Sequence, residues 1–251
     1  MLKQISLYCI ILLGLLTSTS AQTKIMPLGD SITWDWYYGD SRTDAYRHSY
    51  RSYLWYLLND HAYDVDFVGT RSNGEAVSPE FDGDNEAYTG YATFQIEPLI
   101  YSALQETSPD VILLHIGTND SMYSTPSEAV DSLSSLLDEI DRYEKNYGHH
   151  ITVLLARIIY LPKVASWVPN FNDYLDDMVE DRIEDGDDIV VVDMESGAGL
   201  DYSRDLIDGI HPTSAGYEKM ADLWYSTLTK VINKNEAATL VPIYHMLLVN
   251  P

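Results

Sequence analysis

Cysteine is almost missing from this chain of 251 residues. The one example, Cys9, lies in the amino-terminal segment, so residues 22–251 offer neither a disulfide nor a thiol nucleophile. Basic residues are also scarce: 15 Lys and Arg stand against 39 Asp and Glu, for a formal net charge of −24. Such a surface repels phosphate backbones and anionic lipid, which excludes nucleic acid and the inner-leaflet membrane as partners. A long apolar run is absent too. The stretch from Ile5 to Leu16 is short for a membrane span of about 20 residues. With Lys3 before it and the small residues Thr19 and Ala21 after it, residues 1–21 read as a secretory signal peptide. No cysteine follows to accept a lipid anchor. No membrane association is expected after removal of the leader, and the product is expected to be extracellular or periplasmic.

No internal repeat and no domain-splitting linker interrupts residues 22–233, which read as one domain. Residues 234–251 form a tail, a docked strand or the stump of a linker. Apolar runs alternate with helical patterns, the signature of βαβ units and a parallel sheet. Strands are predicted at Lys24–Leu28, Val65–Val68, Asp110–Ile116, Ile151–Ala156 and Ile189–Met194. Helices are predicted at Tyr46–Asn59, Thr93–Glu106, from Thr125 onward, Asn170–Ile183 and Ser214–Ile232. Pro98 points to a late first turn in the second of these. Thr125, Pro126 and Glu128 have the spacing of a capping box. Residues 69–90, rich in Gly, Asp, Asn and Ser, read as a long loop.

Four separated segments carry residue types suited to chemistry. Gly29-Asp30-Ser31-Ile32-Thr33 follows the first strand. Tyr88-Thr89-Gly90 ends the long loop. Gly117-Thr118-Asn119-Asp120 follows the third strand. Asp208-Gly209-Ile210-His211-Pro212 precedes the last helix. Singly, each is ordinary turn or cap chemistry. Together they supply a serine, a base to take its proton, a carboxylate to orient that base and uncharged donors for a developing oxyanion.

In this order the four segments resemble the blocks of the SGNH, or GDSL-type, hydrolases, over about Lys24 to Ile232. The resemblance implies a three-layer α/β/α sandwich with a five-stranded parallel sheet, flavodoxin-like, and an ester hydrolase that needs no cofactor and no metal. Carried over by motif, Ser31 is the nucleophile, His211 the base and Asp208 its orienting carboxylate. Ser31, Gly90 and Asn119 would form the oxyanion hole. Residues 82–91, DGDNEAYTGY, are similar to the second block of carbohydrate esterase family 3, typified by acetylxylan esterases, with Ala87 where a glycine is usual. That likeness implies removal of acetyl groups from a polysaccharide such as xylan; the chain is expected to be a monomer. A lysophospholipase, thioesterase or arylesterase is the rival within the same chemistry. A non-catalytic carbohydrate-binding protein is the rival outside it.

Trp34, Trp36 and Tyr88 are candidates to stack on sugar rings. Asp35, Asp82, Asp84 and Glu86 are expected to make the site's surroundings acidic and without an apolar groove. That would favour acetyl over longer acyl groups and neutral polymers over charged ones. Asp82, Asp84 and Glu86 match positions 1, 3 and 5 of a calcium loop, but Ala87 and Thr93 replace its Gly and Glu, so that site is rejected. His149 and His150 read as surface residues. His115 reads as a hydrogen-bonded core histidine.

Overall fold

The computed structural model describes residues 22–164 and 166–232. The predicted leader and tail lie outside them. Among the described residues there are seven strands: β1 (Thr23–Gly29), β2 (Val65–Phe67), β3 (Arg71–Ser72), β4 (Asp84–Ala87), β5 (Val111–His115), β6 (Thr152–Arg157) and β7 (Ile189–Asp193). Six α-helices accompany them: α1 (Ser31–Trp34), α2 (Ser49–Asp60), α3 (Thr93–Thr107), α4 (Pro126–Tyr147), α5 (Trp167–Asp185) and α6 (Ser214–Val231). α3 packs on α4 and α4 on α5, while α2 packs on α6, giving helical layers about a central sheet.

The sheet has five parallel positions. β1 pairs with β5, β5 with β6 and β6 with β7. The other side of β1 is shared: β2 pairs with Thr23–Ile25 and β4 with Leu28–Gly29. Every residue of β5 is buried, as expected where helices cover both faces of a parallel sheet. This explains why β5 and β6 read as apolar runs rather than as alternation.

Two strands lie where the sequence predicts only loop. β3 and β4 pair antiparallel inside residues 69–90. β4 has no apolar alternation, because polar bonds hold it in the interior. Asn85 Nδ2 donates to Asn73 Oδ1 and to Gly83 O, both at 2.9 Å. Glu86 accepts from Thr70 N at 2.7 Å. α3 starts at Thr93 despite Pro98, which sits in its second turn at the cost of one backbone donor. α4 starts as predicted, with Thr125 N donating to Glu128 Oε2 at 2.8 Å.

Arg51 on α2 is wholly buried and faces carbonyls rather than a carboxylate. Its Nε donates to Thr33 O at 3.0 Å, and its terminal nitrogens donate to Gly83 O at 2.8 Å and Asn73 Oδ1 at 2.7 Å. One guanidinium thus ties α2 to α1 and to the segment that enters β4. Arg51→Lys should destabilise the fold by about 3 kcal/mol, because a single ammonium leaves buried acceptors unpaired. Urea unfolding should show a lower midpoint at unchanged slope. An unchanged midpoint would mean that the three acceptors find other donors.

Candidate active site

All four chemical segments emerge at the carboxyl edge of the sheet, where open α/β folds bind ligands. Ser31 follows β1, Gly90 follows β4, Asn119 follows β5, and the 208–211 loop follows β7. Parallel pairing is what collects them: strands that run the same way end on the same side.

Ser31 is the first residue of α1, and Asp30 caps that helix through Oδ1, which accepts from Ile32 N at 2.9 Å. Gly29 is required here. A Cβ would lie 2.4 Å from His115 O and 2.5 Å from Thr33 Oγ1. Ser31 Oγ lies 2.9 Å from His211 Nε2, and His211 Nδ1 lies 2.9 Å from Asp208 Oδ2. Asp208 Oδ1 also accepts from the backbone N–H groups of Ile210, at 3.0 Å, and His211, at 2.9 Å. Gly209 makes this turn at a φ of +82°. Burial would push Asp208 up, but the hydrogen bonds from the His211 backbone and ring outweigh it and hold the carboxyl below its ordinary range. An ionised Asp208 keeps the proton on Nδ1, which leaves Nε2 free to accept the serine proton. Ser31 is 4% exposed, so it stands on the floor of a cleft rather than on an open turn.

Gly90 adopts a φ of +78° at the cleft edge. Asn119 Nδ2 donates to Tyr91 O at 2.9 Å and, more loosely, to Asp30 Oδ2 at 3.4 Å. The next residue, Asp120, had no assigned task in the sequence. Its carboxylate accepts from Thr93 N at 3.0 Å and Thr93 Oγ1 at 3.1 Å. Asp120 and Asn119 together fasten the third segment to the chain just beyond Gly90.

The cleft has a volume of about 260 Å³. Ser31, His211, Gly90 and Asn119 line it, and Trp36 lies on its wall. Trp34 and Tyr88 do not line it. Trp34 is buried, with Nε1 on Asp44. Tyr88 bonds Glu86 and stacks on Tyr91. The Arg71 guanidinium lies 4.6 Å from the Trp34 ring centroid and 4.8 Å from that of Tyr88. Both rings therefore pack against the Arg71 guanidinium.

The expected acidic lining is not found, since none of Asp35, Asp82, Asp84 and Glu86 lines the cleft. Asp35 is held by both terminal nitrogens of Arg42, Asp82 caps Phe67 N and Asp84 N, and Glu86 holds Thr70. The wall is instead apolar, built by Met122, Leu161, Val164 and Ile210, with Lys163 beside them. Residues 161–164 carry no motif, so nothing in the sequence marked them. His149 and His150 lie at the surface, on Pro109 O and Asp188. His115 is buried, but neither ring nitrogen has a partner among the described residues, which corrects the expected hydrogen bond. Burial pushes it down to about 4, so it stays neutral at pH 7.

The profile of the GDSL-like lipase/acylhydrolase family matches residues 25–224. The chain belongs to this family. A multidomain esterase from Ruminococcus flavefaciens is 30% identical over 234 residues, 83% of this chain. The chain spans only 29% of that relative's length. A family 3 carbohydrate esterase from Clostridium thermocellum is 28% identical, with a TM-score of 0.67 over 82% of this chain and 94% of that one. A carbohydrate esterase family 3 structure from Talaromyces cellulolyticus, at 23% identity, shares the fold with a TM-score of 0.70 over 84% of this chain and 98% of that one. Carboxylic ester hydrolysis is the chemistry of this GDSL domain.

Asp30 gives the site a pH signature. Burial pushes its carboxyl up to about 7, against about 3.9 in an unfolded chain. The folded state then holds the proton more tightly than the unfolded state. The group's contribution to stability is therefore greatest below about pH 4 and declines until about pH 7. Asp30→Asn cannot titrate, so its Tm relative to wild type should rise over that interval and then level off. A Tm difference that is flat from pH 4 to 8 would contradict this account.

Proposed function

We propose that the chain is a secreted serine esterase that removes acetyl groups from polysaccharide through an acyl-enzyme. The observation that carries the chemistry is the hydrogen-bonded line Ser31–His211–Asp208 at the floor of a cleft edged by Gly90 and Asn119. Likeness to a family 3 carbohydrate esterase supports the substrate class, and the signal-like residues 1–21 support secretion.

Ser31 Oγ attacks the ester carbonyl while His211 Nε2 takes its proton. Asp208 stabilises the imidazolium. The carbonyl oxygen becomes an oxyanion, met by the backbone N–H groups of Ser31 and Gly90 and by the Asn119 amide. The hydrogen that Asn119 shares at 3.4 Å with Asp30 is the one more easily redirected. His211 then gives its proton to the departing alcohol. Water repeats the sequence on the acyl-enzyme, with His211 again as base, and releases acetate.

A second reading, hydrolysis of longer acyl esters, is favoured by the apolar wall of Met122, Leu161, Val164 and Ile210. Comparing kcat/KM on 4-nitrophenyl acetate and octanoate, alongside acetate release from acetylated xylan, separates the two. Deacetylation predicts faster acetate turnover and release from the polymer. An octanoate preference with no release from xylan would establish the second reading.

Ser31→Ala should lower kcat by a factor on the order of 10^6 while leaving the protein folded. Asn119→Ala should lower kcat by roughly 100- to 1,000-fold with little change in KM, because the donor acts mainly in the transition state. A steep rise in KM at constant kcat would make Asn119 a substrate-binding residue instead.

A further inference from the structure

Lys163 is a cation on the wall of the cleft that holds Ser31 and His211. Arg42, Arg47, Arg157, Arg182 and Lys219 are each held by carboxylates. Lys163 has no ion pair or hydrogen bond among the described residues, yet it lines the cleft that holds Ser31 and His211. Among the described residues, none that lines that cleft is acidic, although the chain carries 39 Asp and Glu. The described lining thus carries one unpaired ammonium and no carboxylate, with Asp208 and Asp30 set behind His211 and Asn119.

Its position selects one side of the substrate. Lys163 lies in the turn Pro162–Val164 after β6, against the loop that carries the base. A Cβ at Gly209 would sit 3.8 Å from Lys163 Cε, and Gly209 lies between Asp208 and Ile210. The oxyanion donors Gly90 and Asn119 come from other loops. In ester hydrolysis the histidine delivers its proton to the departing alcohol, so the alcohol portion must lie beside His211. Lys163 is therefore on the alcohol side.

We propose that Lys163 is a specificity-determining residue that pairs with a carboxylate on the alcohol portion of the ester, as in an acetylated uronate or an acetylated hydroxy acid. This rests on the ester-hydrolase reading above. It reverses the expectation, drawn from Asp35, Asp82, Asp84 and Glu86, that neutral polymers are favoured over charged ones. The surface charge acts over a Debye length of about 8–10 Å and is screened, whereas a contact pair inside a cleft acts at short range. The selected anion is a single carboxylate next to the scissile bond, since a long polyanion would meet the acidic surface beyond the cleft.

The test compares 4-acetoxybenzoate with 4-acetoxybenzamide. These share the acetyl group and differ in the charge on the alcohol portion. Rates are normalised to hydroxide-catalysed hydrolysis. Lys163→Met should lower the ratio of kcat/KM, anionic over neutral, by about three- to fivefold, the range of a partly exposed ion pair. Lys163→Glu should lower it further, and about 1 M salt should shrink the wild-type preference. Mono-4-nitrophenyl succinate against 4-nitrophenyl acetate places the charge on the acyl side, and Lys163→Met should leave that ratio in place. A 4-acetoxybenzoate ratio unmoved by either substitution would overturn the proposal, as would a change confined to the succinate pair. If wild-type protein cleaves none of these esters, the ester-hydrolase reading fails. Calorimetric binding of 4-hydroxybenzoate and 4-hydroxybenzamide then reads the Lys163 site alone. A preference for the anion that Lys163→Met removes would sustain the site, and equal affinities would end it.

Discussion

The 2.9 Å contact between Ser31 Oγ and His211 Nε2 joins residues 180 positions apart. Neither side chain can do its work alone, since the hydroxyl is a weak nucleophile and the imidazole a base without a target. The rest of the fold serves to bring them together and hold them still. β1 presents Ser31 from an interior strand of the sheet, and β5, β6 and β7 carry the chain across to the 208–211 loop. Asp208 fixes that loop twice, through the ring of His211 and through its backbone. On the other side, Asp30 caps the helix that begins with Ser31 and receives the Asn119 amide. A one-residue slip in the pairing of β1 with β5 would turn these side chains to the other face and separate Ser31 from Asn119.

The chain's many carboxylates divide sharply by task. Those nearest the site in sequence are occupied as acceptors. Asp35 binds Arg42, Asp120 binds Thr93, and Glu86 binds Thr70. Each of these bonds fastens a segment that would otherwise be free, and none of the three carboxylates lines the cleft. The outcome is an acidic protein with a mainly apolar cleft, so the charge of the whole molecule is a poor guide to the field that a substrate feels at Ser31.

Much of this was legible in the residues themselves. The runs at β1, β2, β5, β6 and β7 announced the parallel sheet, because strands covered on both faces must be apolar throughout. Thr125 and Glu128 announced the start of α4 through the reach of their own side chains. The four chemical segments were visible because function requires particular atoms. Polar structure was hidden. β4 reads as loop because Asn85 and Glu86 are buried by hydrogen bonds that only the folded chain supplies. Trp34 and Tyr88 looked like sugar platforms because an aromatic face does not reveal what it will meet, and here it meets Arg71. The wall of Leu161, Lys163 and Val164 was hidden because tertiary packing, not local pattern, brings it to Ser31.

The central claim is that Ser31 becomes covalently acylated during turnover. Acid-quenching the enzyme during steady-state hydrolysis of 4-nitrophenyl acetate, followed by peptide mass spectrometry, tests this directly. The account predicts one added acetyl group on the peptide that contains Ser31, absent from Ser31→Ala. Full turnover with an unmodified Ser31 peptide, or with the acetyl group on another residue, would contradict it.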